Sequence, residues 1–261
     1  MRNWLKVSVL AATIGMAACS SSPTGRNQLL LFSDQDMNSL GAQSFEQMKK
    51  QQNVSTDAKT NAYVQCVANN VTRYVPKKGF SEWEVVVFDD DQVNAFALPG
   101  GKIGVYTGLL KVAKNQDQLA TVIGHEIAHV LADHSNERLS QSQLANAGMQ
   151  ITSIAIGSSE YAQYQSATMA ALGLGVQYGV LLPYGRTQES EADIVGLELM
   201  AKAGFDPRES ISLWKNMAAA SGGSQPPELL STHPSHGTRI QDLADEIRRL
   251  PNYGATRPNC S

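Results

Sequence analysis

The sequence predicts an α+β fold, mainly helical, with one small β-sheet set beside an apolar helix. Three observations predict it. Apolar residues recur at three-and-four spacing over most of the 261 residues, the mark of amphipathic helices. β-branched and aromatic residues crowd into one region, 83–106. After it comes a helix built from Leu119, Val122, Ile123, Ile127, Val130 and Leu131 that also carries His125, Glu126 and His129. Hydrophobic residues make up 42% of the chain, enough for a sizeable core, and a single domain is expected over 33–250.

Taken in order, the first segment reads as an address. Arg2 and Lys6 accompany a short apolar stretch, 7–18, and Met16-Ala17-Ala18-Cys19 resembles a lipobox. That predicts a signal peptide over 1–18, lipidation at Cys19 and a tether over 19–32 containing Ser20, Ser21 and Ser22. About twelve apolar residues are too few to span a bilayer, which needs roughly twenty. Ser20 rather than Asp after the cysteine directs the expectation to a bacterial outer membrane, with the protein lipid-anchored and facing the periplasm. The short run 28–32 is expected to dock on the domain.

Two scaffold helices follow, at 33–51 with Met37, Leu40 and Phe45, and at 57–75 with Tyr63, Val64, Val67 and Val71. A strand is expected at 83–88, ended by Asp89-Asp90-Asp91, then a hairpin of 93–98 and 102–106 around Pro99-Gly100-Gly101. Asn115, with Gln118 three residues on, resembles an N-cap pair for the histidine-bearing helix. A polar helical stretch covers 137–146, and the small-residue-rich 148–182 reads as a lid or a packing helix. A helix is expected to open at Glu189 and end before Gly204, another to begin at Asp206-Pro207, and a last one to run over 235–250. The tail, 251–261, shows no pattern.

The chemistry lies in His125-Glu126-Ile127-Ala128-His129. Residues four apart share a helix face, so both imidazoles can meet one metal ion while Glu126 stands beside them as general base. Such groups are costly in an apolar helix unless something binds them, and Zn²⁺, one per chain, would hold both rings. A catalytic zinc needs a third protein ligand. It is not supplied by HExxHxxGxxH, since Ala132 and Ser135 stand where Gly and His are required. Glu189 and Asp193 are one helical turn apart, so one can ligate while the other accepts the second ring N–H of a ligating histidine. Glu191 and Glu198 read as solvated. With Cys19 lipidated, an oxidising compartment would pair Cys66 with Cys260, the alternative being two unrelated cysteines. A net charge of −3 with no basic cluster argues against a nucleic-acid partner.

HEIAH followed by Glu189-Ser190-Glu191-Ala192-Asp193 resembles the HExxH/ExxAD zinc peptidase family of the CAAX prenyl proteases, HtpX, BepA and the mitochondrial inner-membrane quality-control protease. Asn94-Ala95-Phe96-Ala97-Leu98-Pro99-Gly100-Gly101, Val105-Tyr106-Thr107-Gly108 and Ser231-Thr232-His233-Pro234 agree with it in order. The resemblance implies a gluzincin-like metallopeptidase, closest to the lipid-anchored, periplasm-facing branch. Zinc would sit on His125, His129 and Glu189, with Asp193 behind them. Quality control of misfolded or unassembled envelope polypeptides would be the task. Asn94, Ala95, Phe96 and Ala97 would form a strand to which an extended substrate adds, although for Phe96 itself a plain core position is an equal reading. His233 would stand near the metal, either stabilising the oxyanion or closing the site as a fourth ligand, whereas His236 reads as a surface cap. A rival reading is a zinc-stabilised outer-membrane assembly or chaperone-like factor with little proteolysis. Glu126 discriminates, because a structural zinc site needs four closed ligands and no adjacent base.

Overall fold

A computed structural model describes residues 19–157, 182–220, 229, 233 and 238–260. The expected leader over 1–18, the greater part of 148–182, the loop over 221–227 and His236 therefore lie outside the described residues. The chain divides into two compact units, 1–33 with 133–184, and 34–132 with 185–261.

In the first unit the segment expected as a tether forms a two-stranded antiparallel ladder, β1 (Cys19–Ser21) and β2 (Asn27–Leu29), in the register Cys19↔Leu29. Gly25, at φ 84°, closes the turn, where its N–H donates to Ser22 O at 2.9 Å. This signal is weak in sequence because the strands are only three residues long and polar. The run 28–32 and the turn before it dock on a helix, His134–Gly157, through polar groups. Arg26 donates to both oxygens of buried Glu137 at 2.6 and 2.8 Å, and Ser140 Oγ accepts from the Leu31 N–H at 2.9 Å.

The second unit begins with α1 (Asp34–Gln51) and α2 (Ala58–Thr72), the latter capped by the Asp57 carboxylate, which accepts from the Thr60 N–H at 2.7 Å. Its sheet holds β3 (Glu84–Phe88), β4 (Ala95–Leu98) and β5 (Lys102–Tyr106) in the order β3-β5-β4. The expected hairpin pairs β4 with β5 antiparallel, Ala95 opposite Val105, while β3 runs parallel to β5 on the far side. Phe96 lies opposite Gly104, whose missing side chain makes room for the ring. Phe45, Phe88, Phe96 and Tyr106 form an aromatic cluster between α1 and the sheet, with Phe96 centroids 6.1 to 6.2 Å from the others. The other face of the sheet places Ala95, Ala97, Ile103 and Val105 in the main core.

The histidine-bearing helix, α3 (Gln116–Leu131), packs against β4, and Asn115 caps it by accepting from the Gln118 N–H at 2.9 Å. It is buried on every side from Asp117 to Val130, where sequence periodicity suggested a single stripe. Asp133, at φ 53°, separates it from α4 (His134–Gly157). Next come α5 (Leu182–Lys202), α6 (Glu209–Ala220) and α7 (Arg239–Arg249). Thus α5 starts well before the expected Glu189, and α6 starts after Pro207. Pro183 and Gly185 fall in the first turn of α5, where a helix tolerates proline. Among the described residues no helix is long and apolar enough to cross a membrane.

The patternless tail is ordered by contacts with α2 and α3. Cys260 is bonded to Cys66, with Cα atoms 5.5 Å apart. Gln116 donates to Pro258 O at 2.7 Å and accepts from the Cys260 N–H at 2.9 Å. Buried Asp117 pairs with Arg257 and accepts from the Asp206 N–H.

Candidate metal centre

The site is made where α3 crosses α5. A Cβ on Gly196 would lie 2.8 Å from His125 N, and one on Gly124 would lie 2.8 Å from Gly196 O. The two backbones therefore touch. Glu189 precedes Gly196 by two helical turns and Asp193 precedes it by one, so both face the histidines across the crossing.

Four donors converge there. His125 Nε2 and His129 Nε2 are 3.1 Å apart. Glu189 Oε2 lies 3.2 Å from the first and Oε1 lies 3.4 Å from the second. His233 contributes Nδ1, 3.0 Å from Glu189 Oε1 and 3.3 Å from His125 Nε2. All four donor atoms fall within 4.8 Å of one another. His125, His129 and Glu189 are buried, so water does not screen the cluster.

Asp193 and Arg239 lie behind them. Asp193 Oδ1 is 3.0 Å from His125 Nδ1 and 2.7 Å from Arg239 Nη2. A guanidinium only donates, and the shared oxygen accepts from both groups. His125 therefore carries its proton on Nδ1 and turns the Nε2 lone pair toward the donor cluster. Burial pushes the His125 imidazole down, but Asp193 and Glu189 outweigh it and raise its pKa to about 9. Burial likewise pushes Glu189 up, while His125 and His233 hold it well below the usual carboxylate range. Asp193 is also held low despite burial, first by the Arg239 charge and then by His125. These opposed shifts describe carboxylates and imidazoles that stabilise one another's charged forms against burial.

Glu126 is buried beside the donors. Its Oε1 is 3.3 Å from His233 Nε2 and has no hydrogen-bond partner among the described residues. A carboxylate oxygen left in this state can take a proton from a reactant.

The structure brings together His125, Glu126, His129, Glu189, Asp193 and His233. Cys66 and Cys260 meet away from the donor cluster, and Cys19 lies in the other unit. Asn94, Ala95, Phe96 and Ala97 form or adjoin the edge strand β4, but the Phe96 ring belongs to the aromatic cluster. Glu191, expected on a solvated face, is buried, because α5 packs on more than one side. Glu198 is partly exposed and pairs with Lys202. Sequence reasoning missed Arg239 and Trp214, which single residues do not betray. It also missed Gly124 and Gly196, where glycine inside an apolar helix was a usable signal.

Two buried imidazoles and a carboxylate on crossing helices, with a second buried carboxylate beside them, define a zinc-type metallopeptidase centre. Comparison specifies it further: the chain belongs to Peptidase family M48, whose family model matches residues 49–247. Metallopeptidases of this family use zinc, and the nitrogen and oxygen donors described above fit that ion. Similar proteins include the mitochondrial metalloendopeptidase OMA1 of Schizosaccharomyces pombe, 36% identical over 69% of this chain and 51% of its own length. Human OMA1 is 33% identical over 91% of this chain and 47% of its own. The β-barrel assembly-enhancing protease of Escherichia coli O157:H7 is 33% identical over 63% and 34%. The chain thus spans about half the length of the OMA1 relatives. The expected bacterial outer-membrane location is overturned by these relatives, since the OMA1 proteins of fission yeast, human and a plant are mitochondrial. That expectation rested on Ser20 and a short apolar leader, a pattern too slight to specify a compartment.

Proposed function

We propose that the chain is a zinc-dependent endopeptidase acting in quality control of misfolded or unassembled polypeptides. One observation carries this reading: His125, His129 and Glu189 converge as donors with the buried Glu126 carboxylate beside them, its Oε1 facing His233 Nε2 at 3.3 Å. When bound, zinc supplies Lewis acidity toward a water molecule and a scissile carbonyl. Glu126 accepts a proton from the attacking water and returns it to the leaving amine as the C–N bond breaks. Asp193 keeps the His125 ring turned toward the donors throughout.

His233 has two candidate roles, and its position favours one. Its Nδ1 lies among the donors rather than beyond them, which supports a resting state in which His233 completes a set of four. Turnover then requires His233 to leave and open a position for water. For the substrate we favour an extended segment adding to β4, an edge strand among the described residues, by way of the backbone of 94–97 rather than the Phe96 ring. Membrane attachment through a lipid on Cys19 belongs to the same proposal and draws support from the Met16-Ala17-Ala18-Cys19 pattern alone.

The test is incubation of the purified protein with an unfolded polypeptide, with and without a chelator, followed by sequencing of the products. Defined internal cuts that vanish with the chelator and return with zinc are expected. Intact substrate at saturating zinc would leave a zinc-binding factor without proteolysis.

A further inference from the structure

Arg239 opens α7 with only 1% of its surface exposed. A buried guanidinium is costly unless its charge is compensated, and among the described residues Arg239 leaves two of its three nitrogens without a hydrogen bond. Of its five donors, one nitrogen makes a close contact, Nη2 to Asp193 Oδ1 at 2.7 Å. Nε and Nη1 have no hydrogen-bond partner among the described residues, and Nη1 stands 3.6 Å from Glu189 Oε2. Its remaining support is a stack: the guanidinium carbon lies 3.6 Å from the centroid of the Trp214 ring on α6. A cavity of about 10 Å³ lined by His125, Asp193 and Trp214 has room for about one water molecule, so solvent does little to screen the pair.

We propose that Arg239, held flat against Trp214, is a positioning residue for the metal centre, fixing the Asp193 carboxylate that orients His125. The proposal rests on reading the donor cluster as a zinc site. Charge supports it. Three carboxylates touch the histidines, buried Glu126 and Glu189 and the partly buried Asp193. A dication compensates two of them and Arg239 compensates the third. Geometry supports it as well. Arg239 and His125 share one oxygen of Asp193, so a carboxylate turned away from Arg239 also releases the imidazole. Trp214 sets the plane of the guanidinium and thereby the direction of its N–H, which a flexible ammonium would not reproduce.

Two effects of Arg239 on zinc oppose each other. As a nearby positive charge it repels the ion, and removing it would tighten binding. As a positioning group it orders a ligand, and removing it would weaken binding. The shared-oxygen geometry makes the second effect the larger.

The experiment is competition for zinc against a chromophoric chelator, with the full chain. Arg239→Met is expected to bind zinc about 10–100-fold more weakly, the range for lost support behind a ligating histidine. Trp214→Leu should weaken it by a smaller factor. Added to Asp193→Asn, Arg239→Met should cost nothing further, because it acts through Asp193. Zinc affinity within twofold of wild type, or tighter, in Arg239→Met overturns the proposal, as does an equal loss with and without Asp193. If Arg239→Met does not fold, Arg239→Lys decides. It keeps the charge without the flat stacked group, so it should also bind more weakly, and wild-type affinity overturns the proposal. A wild-type chain that binds no zinc overturns the metal-centre reading itself, whereas zinc binding unmoved by these substitutions overturns only the role of Arg239.

Discussion

Glu126 offers the sharpest residue-level test, because it touches the site without belonging to the donor set. Glu126→Gln is expected to lower turnover by about 10²–10⁴-fold, the usual contribution of a general base. Zinc stoichiometry, measured by elemental analysis, should stay at one per chain. Loss of the metal would instead make Glu126 a ligand. His233→Ala is expected to raise turnover at saturating zinc, since its Nδ1 lies among the donors. A fall of about 10²–10³-fold would assign it to oxyanion stabilisation. At this scale much was legible. His125, Glu126 and His129 announce themselves because a metal site on a helix needs that spacing, and the need to fix a ring proton points to the pair Glu189 and Asp193, between which the family resemblance chooses. Arg239 was not legible, since an arginine at a helix start is ordinarily solvated. Only the fold supplies the tryptophan and the carboxylate that justify burying it.

At the scale of elements, the centre depends on two helix backbones in contact. A methyl on Gly196 would meet His125 N at 2.8 Å and Cα at 3.0 Å, both backbone atoms that have no rotamer in which to retreat. Gly196→Ala is therefore expected to destabilise the protein by about 1–3 kcal/mol through overpacking and to weaken zinc binding by shifting Glu189. Thermal unfolding with and without zinc measures both effects. Gly148→Ala on α4 is the control. Among the described residues nothing lies within 4 Å of its Cβ position, so it should be neutral or stabilising by up to about 1 kcal/mol. Unaltered zinc affinity in Gly196→Ala would show that the crossing tolerates separation. The hairpin of β4 and β5 was readable from Pro99-Gly100-Gly101, and the α3 cap from Asn115. The parallel pairing of β3 with β5 was not, because alternation of residues says nothing about strand direction. The start of α5 escaped for a related reason: Pro183 and Gly185 break helices in general, yet stand here in a first turn.

For the whole molecule, the Cys66–Cys260 bond ties the tail to α2 across a sequence separation of 194 residues. Reduction is expected to lower stability by about 2–4 kcal/mol, toward the upper end because the closed loop is long. Denaturant unfolding of the oxidised and reduced protein measures the difference. An unchanged midpoint would show that Gln116, Asp117 and their partners hold the tail unaided. The pairing was legible from the count of cysteines, but the course of the tail was not, since contacts to backbone carbonyls such as Pro258 O leave no pattern in side chains. The bond also has a topological meaning. His125, His129, Glu189, His233 and Arg239 all lie between the two cysteines in the chain, so the residues of the metal centre sit on one covalent ring. A single nick anywhere along that ring, whether by a foreign protease or by a second copy of the chain, frees no fragment. The nicked protein would gain only the mass of one water molecule and would separate into two pieces only after a reductant is added.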